Sequence, residues 1–214
     1  MDSTVLLLDL DRTLVDLQSF TDYAAALADV QALIGEWPDA DVPETDWDRP
    51  TQACMSVLHS LLGDARWTEV SDAIAVHERA AVAQGVVMPT VSEVLERLRP
   101  AGVAVVTLLP VDVATLALVT HGIGVGPGEP VDLVIGRDPR IRPKPWPDGL
   151  LTACRRLGAD PRRATMIGDA TWDQDAAAQA GAAFIGVPST AAGFPPGVPV
   201  ARTFAEAVRG VLGE

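Results

Sequence analysis

Apolar residues in this chain fall into two alternating kinds of run. Short, nearly unbroken ones lie at Thr4–Asp9, Val103–Thr107, Val131–Ile135, Ala164–Ile167 and Ala183–Val187, each rich in Val, Ile, Leu or Ala. A short apolar run without polar alternation is the pattern of a strand covered on both faces. Between these runs, apolar residues recur at helical spacing. Val91, Val94, Leu95 and Leu98 make an i, i+3, i+4, i+7 stripe, and Leu150, Leu151, Cys154 and Leu157 make another. Glycines punctuate the rhythm: Gly102 before the second strand, Gly158 after a helix, Gly181 before the last strand. Strand–helix–strand alternation predicts an α/β fold, a Rossmann-like, doubly wound parallel sheet.

One stretch breaks the alternation. Between the first strand and Val103, helices are predicted over Leu17–Ile34, Pro50–Leu62 and Trp67–Ala83, with an acidic, proline-containing connection at Trp37–Pro50 and a return at Gln84–Pro89. The expected organisation is an α/β core of residues 1–15 and 86–214 with a helical unit of residues 16–85 inserted over the mouth of the sheet. The proline-rich stretches Arg137–Pro147 and Gly193–Val198 read as surface loops.

Composition narrows the partners. With 214 residues, 48% hydrophobic and 21% charged, the chain can bury a core and is not disordered as a whole. Sixteen Lys and Arg against 29 Asp and Glu give a net charge of −13. That field repels nucleic-acid backbones and anionic membranes, so neither is expected as a partner. A phosphorylated ligand would need a cation or a focused positive pocket. Cys54 and Cys154 read as buried reduced thiols, and no segment approaches the about 20 apolar residues of a membrane span. The apolar stretch Val5–Leu8 is broken at once by Asp9 and Asp11 and has no basic region before it, so the expected location is the cytoplasm.

Four segments carry candidate chemistry. The first strand runs straight into Asp9-Leu10-Asp11-Arg12-Thr13, placing two carboxylates and a hydroxyl at the carboxyl edge of a parallel sheet, where such sheets bind ligands. A second apolar strand ends in Gly168-Asp169, with Asp173 one helical turn further on. Carboxylates converging from two strand ends suit a hard cation, Mg²⁺ above all. Lys144 lies between Pro143 and Pro145, a stiffened setting for a cation that would counter phosphate charge. Thr107 ends a strand with a hydroxyl able to bond a phosphate oxygen.

In this order the four segments resemble the haloacid dehalogenase-like hydrolase superfamily. Its motifs are Asp-x-Asp-x-Thr after strand one, Thr or Ser after strand two, a Lys before a helix, and Gly-Asp-x-x-x-Asp after strand four. They match Asp9, Asp11 and Thr13; Thr107; Lys144; and Gly168, Asp169 and Asp173. The proline-flanked lysine and the helical insertion look like the phosphoglycolate phosphatase and phosphoglucomutase branch, whose insertion is a cap. The resemblance implies that Asp9 attacks phosphorus to form an aspartyl-phosphate and that Asp11 acts as general acid and base. It implies phosphate binding by Asp9, Leu10, Asp11, Thr107 and Lys144. Mg²⁺ would be held by Asp9, the backbone carbonyl of Asp11, and Asp169, with Asp173 near or behind it. The substrate would be a small phosphomonoester: a sugar phosphate, phosphoglycolate or a nucleoside 5′-phosphate. A phosphomutase is the alternative within the family, and a monomer or homodimer is the expected assembly. The dehalogenases of the family lack an acid two residues after the nucleophile, so Asp11 favours phosphorus over carbon chemistry. A signalling receiver module is disfavoured because no Asp ends Val131–Ile135.

Two positions depart from the family pattern. Arg12 stands where small or acidic residues are frequent, its charge aiding substrate or pointing outward. Leu108 stands where many relatives place Asn. The remaining candidates are read as structural. Gly122–Gly128 follows a helix and contains Pro127, so it is a connection and not a phosphate loop. His59, His77 and His121 have no ligand-spaced neighbours, and Trp37, Trp47 and Trp67 are expected to pack the insertion, the alternative being that one of them lines the substrate pocket.

Overall fold

The computed structural model describes residues 5–213 except 36, 38–41, 44, 46, 99–101 and 190–192. In chain order the elements are β1 (Val5–Leu8), β2 (Val15–Asp16), α1 (Tyr23–Ile34), α2 (Arg49–Ser60), α3 (Trp67–Ala81) and β3 (Val86–Val87). Then follow α4 (Val91–Leu98), β4 (Gly102–Val106), α5 (Val111–Thr120), β5 (Leu133–Ile135) and α6 (Asp148–Leu157). The chain closes with β6 (Ala164–Gly168), α7 (Thr171–Ala180), β7 (Ala183–Gly186) and α8 (Phe204–Leu212).

Five strands form one parallel sheet in the order β5-β4-β1-β6-β7. The chain starts in the middle and winds outward both ways, so β1 has a neighbour on each side and its end sits at the point where the winding reverses. The continuous apolar strands are explained by their two covers. Leu6, Leu8, Val103 and Val105 face a core shared with α4, α5 and α8. Val5, Leu7, Ala104 and Val106 face the opposite core, against α6 and α7. Gly158 and Gly181 end α6 and α7 at φ of 67° and 76°, a left-handed closure that favours glycine.

Several boundaries differ from the sequence reading, each for a local reason. The helix expected from Leu17 starts at Tyr23. The Asp11 carboxylate takes the N–H groups of Leu17 and Gln18, a single 3₁₀ turn follows, and the Asp22 side chain caps α1 by accepting from Ala25 N. The strand expected from Val131 pairs with β4 as a ladder from Leu133; Val131 bridges Val125, and the Asp132 side chain accepts from Val103 N. Gly102 opens β4 and does not merely precede it. Thr4 and part of the Trp37–Pro50 connection lie outside the described residues.

Helices α1 to α3 occupy the stretch between β2 and β3, which pair antiparallel at Val15 with Val87 and Asp16 with Val86. These helices hold a third apolar cluster of their own, including Tyr23, Val30, Leu58, Trp67 and Ile74. One member comes from the sheet side: Trp172 of α7, 1% exposed, whose indole N–H donates to Pro43 O at 3.0 Å.

Candidate active site

Three strand ends build the site. The Asp9 N–H still pairs with Ile167 O of β6, and the Thr107 N–H with Ile135 O of β5, both at 2.9 Å. The ladder therefore fixes both backbones at the moment their side chains leave the sheet. Asp169 follows β6 in the same row. The carboxylates of Asp9, Asp169 and Asp173 offer oxygens all within 4.8 Å of one another.

Lys144, from the loop after β5, joins this group. Its Nζ lies 2.5 Å from Asp9 Oδ1 and 2.5 Å from Asp173 Oδ1, with all three side chains buried. Burial alone would push the ammonium down, but Asp173 and Asp9 hold it well above its usual value. Asp173 serves two neighbours: Oδ2 accepts from Ala170 N at 3.1 Å, closing the first turn of α7, while Oδ1 faces Lys144. Gly168 is required by this arrangement, because a Cβ there would collide with the Asp173 carboxylate. Thr13 Oγ1 donates to Asp9 Oδ2 at 3.4 Å. Thr107 Oγ1 accepts from Leu109 N at 3.2 Å, which leaves its hydroxyl proton to donate elsewhere.

Asp11 is positioned by backbone. Its Oδ1 accepts from Leu17 N and Gln18 N, each at 2.9 Å, at the point where the chain leaves for the helices. Burial pushes the carboxyl up to about 7, outweighing these two hydrogen bonds, and the charges of Asp9 and Asp16 add to the rise. Burial likewise raises Asp169 well above the carboxylate range, assisted by Asp9 and Asp173, and raises Asp173 to about 6 against the pull of Lys144. Carboxylates that raise one another in this way are an all-oxygen set short of positive charge. A hard divalent cation fits such a set, with Asp9 and Asp169 as its side-chain donors.

Asp9, Asp11, Thr107, Lys144, Asp169 and Asp173 all line one cavity of about 40 Å³. Leu10 is not brought to this cavity, and its side chain is fully buried in the sheet core. Thr51 and Met55 of α2 roof the cavity together with Tyr23 and Trp47, and Leu108 and Trp172 close its sides. Trp47 and Trp172 meet with ring centroids 4.8 Å apart.

Arg12 points inward: at φ 56°, its Nε lies 3.1 Å from Asp169 Oδ2. Ser189 Oγ donates to the same oxygen at 2.6 Å. Ser189, Thr51, Met55 and Trp172 were not singled out by the sequence reading. The four-residue spacing of Thr51 and Met55 on one helix face was the one available signal; Ser189 reaches Asp169 only through the fold. His59 is buried against Trp146 and Trp172, His77 pairs with Asp29, and His121 faces Val82 O, so none serves the cavity. Cys54 and Cys154 are buried free thiols.

A family model described as a haloacid dehalogenase-like hydrolase matches residues 4–181. The chain belongs to this family. Among curated relatives, a protein of Dickeya dadantii (strain 3937) named "Probable phosphatase IndB" is 33% identical over 195 residues, covering 86% of this chain and 80% of that one. Of solved structures, a hydrolase from Pseudomonas syringae matches with a TM-score of 0.72 at 22% identity, covering 98% of each chain. CbbY from Rhodobacter sphaeroides, solved with phosphate, matches at 0.69 and 20% identity over 95% of this chain and 96% of that one. At such identities the structures establish the fold, while family and relatives make the chain a phosphatase-type hydrolase. Among the described residues no helix is long and apolar enough to cross a membrane.

Proposed function

We propose that the chain is a Mg²⁺-dependent phosphatase that hydrolyses a small phosphomonoester through an aspartyl-phosphate on Asp9. The observation that carries this reading is the pairing of Asp9, at the tip of β1 with Lys144 Nζ at 2.5 Å, with a buried Asp11 whose carboxyl is pushed to about 7. The first is oriented beside a fixed cation. The second is poised to give and take a proton near neutrality.

An Asp9 carboxylate oxygen attacks phosphorus, the bond to the leaving oxygen breaks, and Asp11 delivers its proton to the leaving alkoxide. A water then attacks the same phosphorus while Asp11 takes one of its protons. The Asp9–phosphorus bond breaks and inorganic phosphate is released with the Asp9 carboxylate restored. The Lys144 ammonium and the Thr107 hydroxyl bind the phosphoryl oxygens that gain charge between these states. Mg²⁺ would be held by the carboxylates of Asp9 and Asp169 and the Asp11 carbonyl, with Asp173 behind. When bound, it supplies charge neutralisation between the nucleophile and the incoming phosphate.

Residues 16–85 act in this reading as a cap. A cavity of about 40 Å³ is tight for a phosphomonoester, so this reading has the helices move away from the sheet edge to admit substrate. Phosphate release from an aryl phosphate, with and without Mg²⁺, for wild type and Asp9→Asn, tests the reading. Metal-dependent release that disappears in the variant supports it; metal-independent release, or release surviving in Asp9→Asn, overturns it.

A further inference from the structure

The two ends of the cavity differ in charge. Its floor carries Asp9, Asp11, Asp169, Asp173 and Lys144, whereas the rest of its lining is uncharged and mostly apolar: Trp47, Thr51, Met55, Leu108 and Trp172, with Gln18 and with Tyr23, whose hydroxyl donates to Glu78. No lysine occurs between Leu17 and Gln84, and the three arginines there are spent elsewhere. Arg66 grips Asp64 through two nitrogens and lies over the Trp37 ring, and Arg79 pairs with Asp112 on the outer surface. Arg49 lines a separate groove with Val30 and Trp37. Near the rim of the sheet, Arg137 is consumed by Glu78, Ser71 and Leu108 O, and Arg142 by Asp148. Among the described residues Lys144 is therefore the one cation lining the cavity, and it belongs to the phosphate end. Residues 17–84 also carry twelve acidic side chains, so the field on that side is negative.

One buried polar atom of this uncharged lining lacks a partner. Thr51 Oγ1 is buried, with the residue 3% exposed, and has no hydrogen-bond partner among the described residues. The Thr51 backbone N–H is already used by the Asp48 cap, so the hydroxyl is not part of that cap. A buried hydroxyl without a partner is costly unless a ligand supplies one.

Building on the phosphatase reading, we propose that the alcohol released is uncharged and largely apolar, with a single hydrogen-bonding group that meets Thr51 Oγ1. A second anionic group on the substrate, such as a carboxylate or another phosphate, would enter a buried end with no countercharge, against a field of its own sign.

Three phosphomonoesters that differ only at one ring position test this: 2-(4-hydroxyphenyl)ethyl, 2-phenylethyl and 2-(4-carboxyphenyl)ethyl phosphate. The leaving oxygen is the same in all three, so differences report the far end of the pocket. The hydroxyl compound is expected to exceed the carboxylate in kcat/KM by about 100-fold, the size of an uncompensated buried charge. Thr51→Val, of matching shape, is expected to lower kcat/KM for the hydroxyl compound about tenfold more than for 2-phenylethyl phosphate, through the lost hydrogen bond. Equal or better turnover of the carboxylate overturns the neutral-alcohol assignment, and an equal loss on both neutral substrates in Thr51→Val overturns the role of Thr51. If none of the three is hydrolysed while an aryl phosphate is, in a metal- and Asp9-dependent manner, the inference fails and the phosphatase reading survives. If the aryl phosphate is also untouched, both fall.

Discussion

Arg137, in the loop after β5, and Glu78, on α3, form a two-pronged ion pair with both side chains at 1% exposure or less. Nη1 lies 3.0 Å from Oε1 and Nη2 2.9 Å from Oε2. The remaining guanidinium hydrogens go to Ser71 Oγ, Ser71 O and Leu108 O, so the group is satisfied in full. The pair fastens the helical unit to the loop after β5 that carries Lys144, and through Leu108 O to the turn that follows Thr107. Removing one partner leaves the other charged and buried, so Glu78→Gln and Arg137→Met are each expected to cost about 3–5 kcal/mol in urea unfolding. The combined Glu78→Leu and Arg137→Leu variant should lose clearly less than the sum of the two single leucine variants. Additive losses would show that the pair is not coupled.

Asp11 is held by acceptance alone, from two backbone N–H groups. Asn at this position keeps an acceptor oxygen in place, so Asp11→Asn should fold with an unaltered circular-dichroism melt. Its kcat should fall by about 10²–10⁴, the usual contribution of a proton donor and acceptor. Full activity in this variant would remove Asp11 from the chemistry.

Burial lowers the His59 ring to about 4, so it is neutral in the folded protein, while in the unfolded chain it titrates near 6.5. The unfolded state therefore binds the proton first as pH falls. The stability that His59 confers is complete above about 6.5 and drains away between there and 4, by an amount on the order of 3 kcal/mol. Asp11 and Asp173, raised to about 7 and 6, work in the opposite direction, favouring the folded state as they protonate. Subtracting the urea-unfolding curve of His59→Phe from that of wild type across pH 4–8 isolates the histidine. A flat difference would contradict its burial as a neutral ring.

Arg12 sits at a left-handed φ of 56° with its guanidinium on Asp169, one of the proposed Mg²⁺ donors. Its charge opposes a divalent cation at the same carboxylate. Arg12→Gly removes both that charge and the backbone strain, so Mg²⁺ binding measured by calorimetry should tighten about three- to tenfold. Weaker binding would mean that Arg12 orients Asp169 for the metal.

The sheet was legible because β1, β4 and β6 are buried on both faces and so must be apolar without alternation. Most of the site followed from it, since Asp9, Thr107 and Asp169 each stand where such a run stops. What was not legible depends on distance in sequence. Arg12 and Ser189 meet at Asp169 although 177 positions separate them, and nothing near either one announces the other. The β2–β3 ribbon was missed because each strand has two residues, too few for any period to show. Nothing in the sequence around Trp172 marks it as a member of the other apolar cluster, which needed the fold.

The ribbon of Val15–Asp16 and Val86–Val87 brings both crossings of the chain side by side. A segment whose ends are neighbours is topologically detachable: it can be transplanted between sheets of this kind without shifting the register of β1 or β4. The aromatic dock at Trp172 sets the terms of such a graft. A foreign roof would need its own counterpart of Trp47 and Pro43 to seat on that indole.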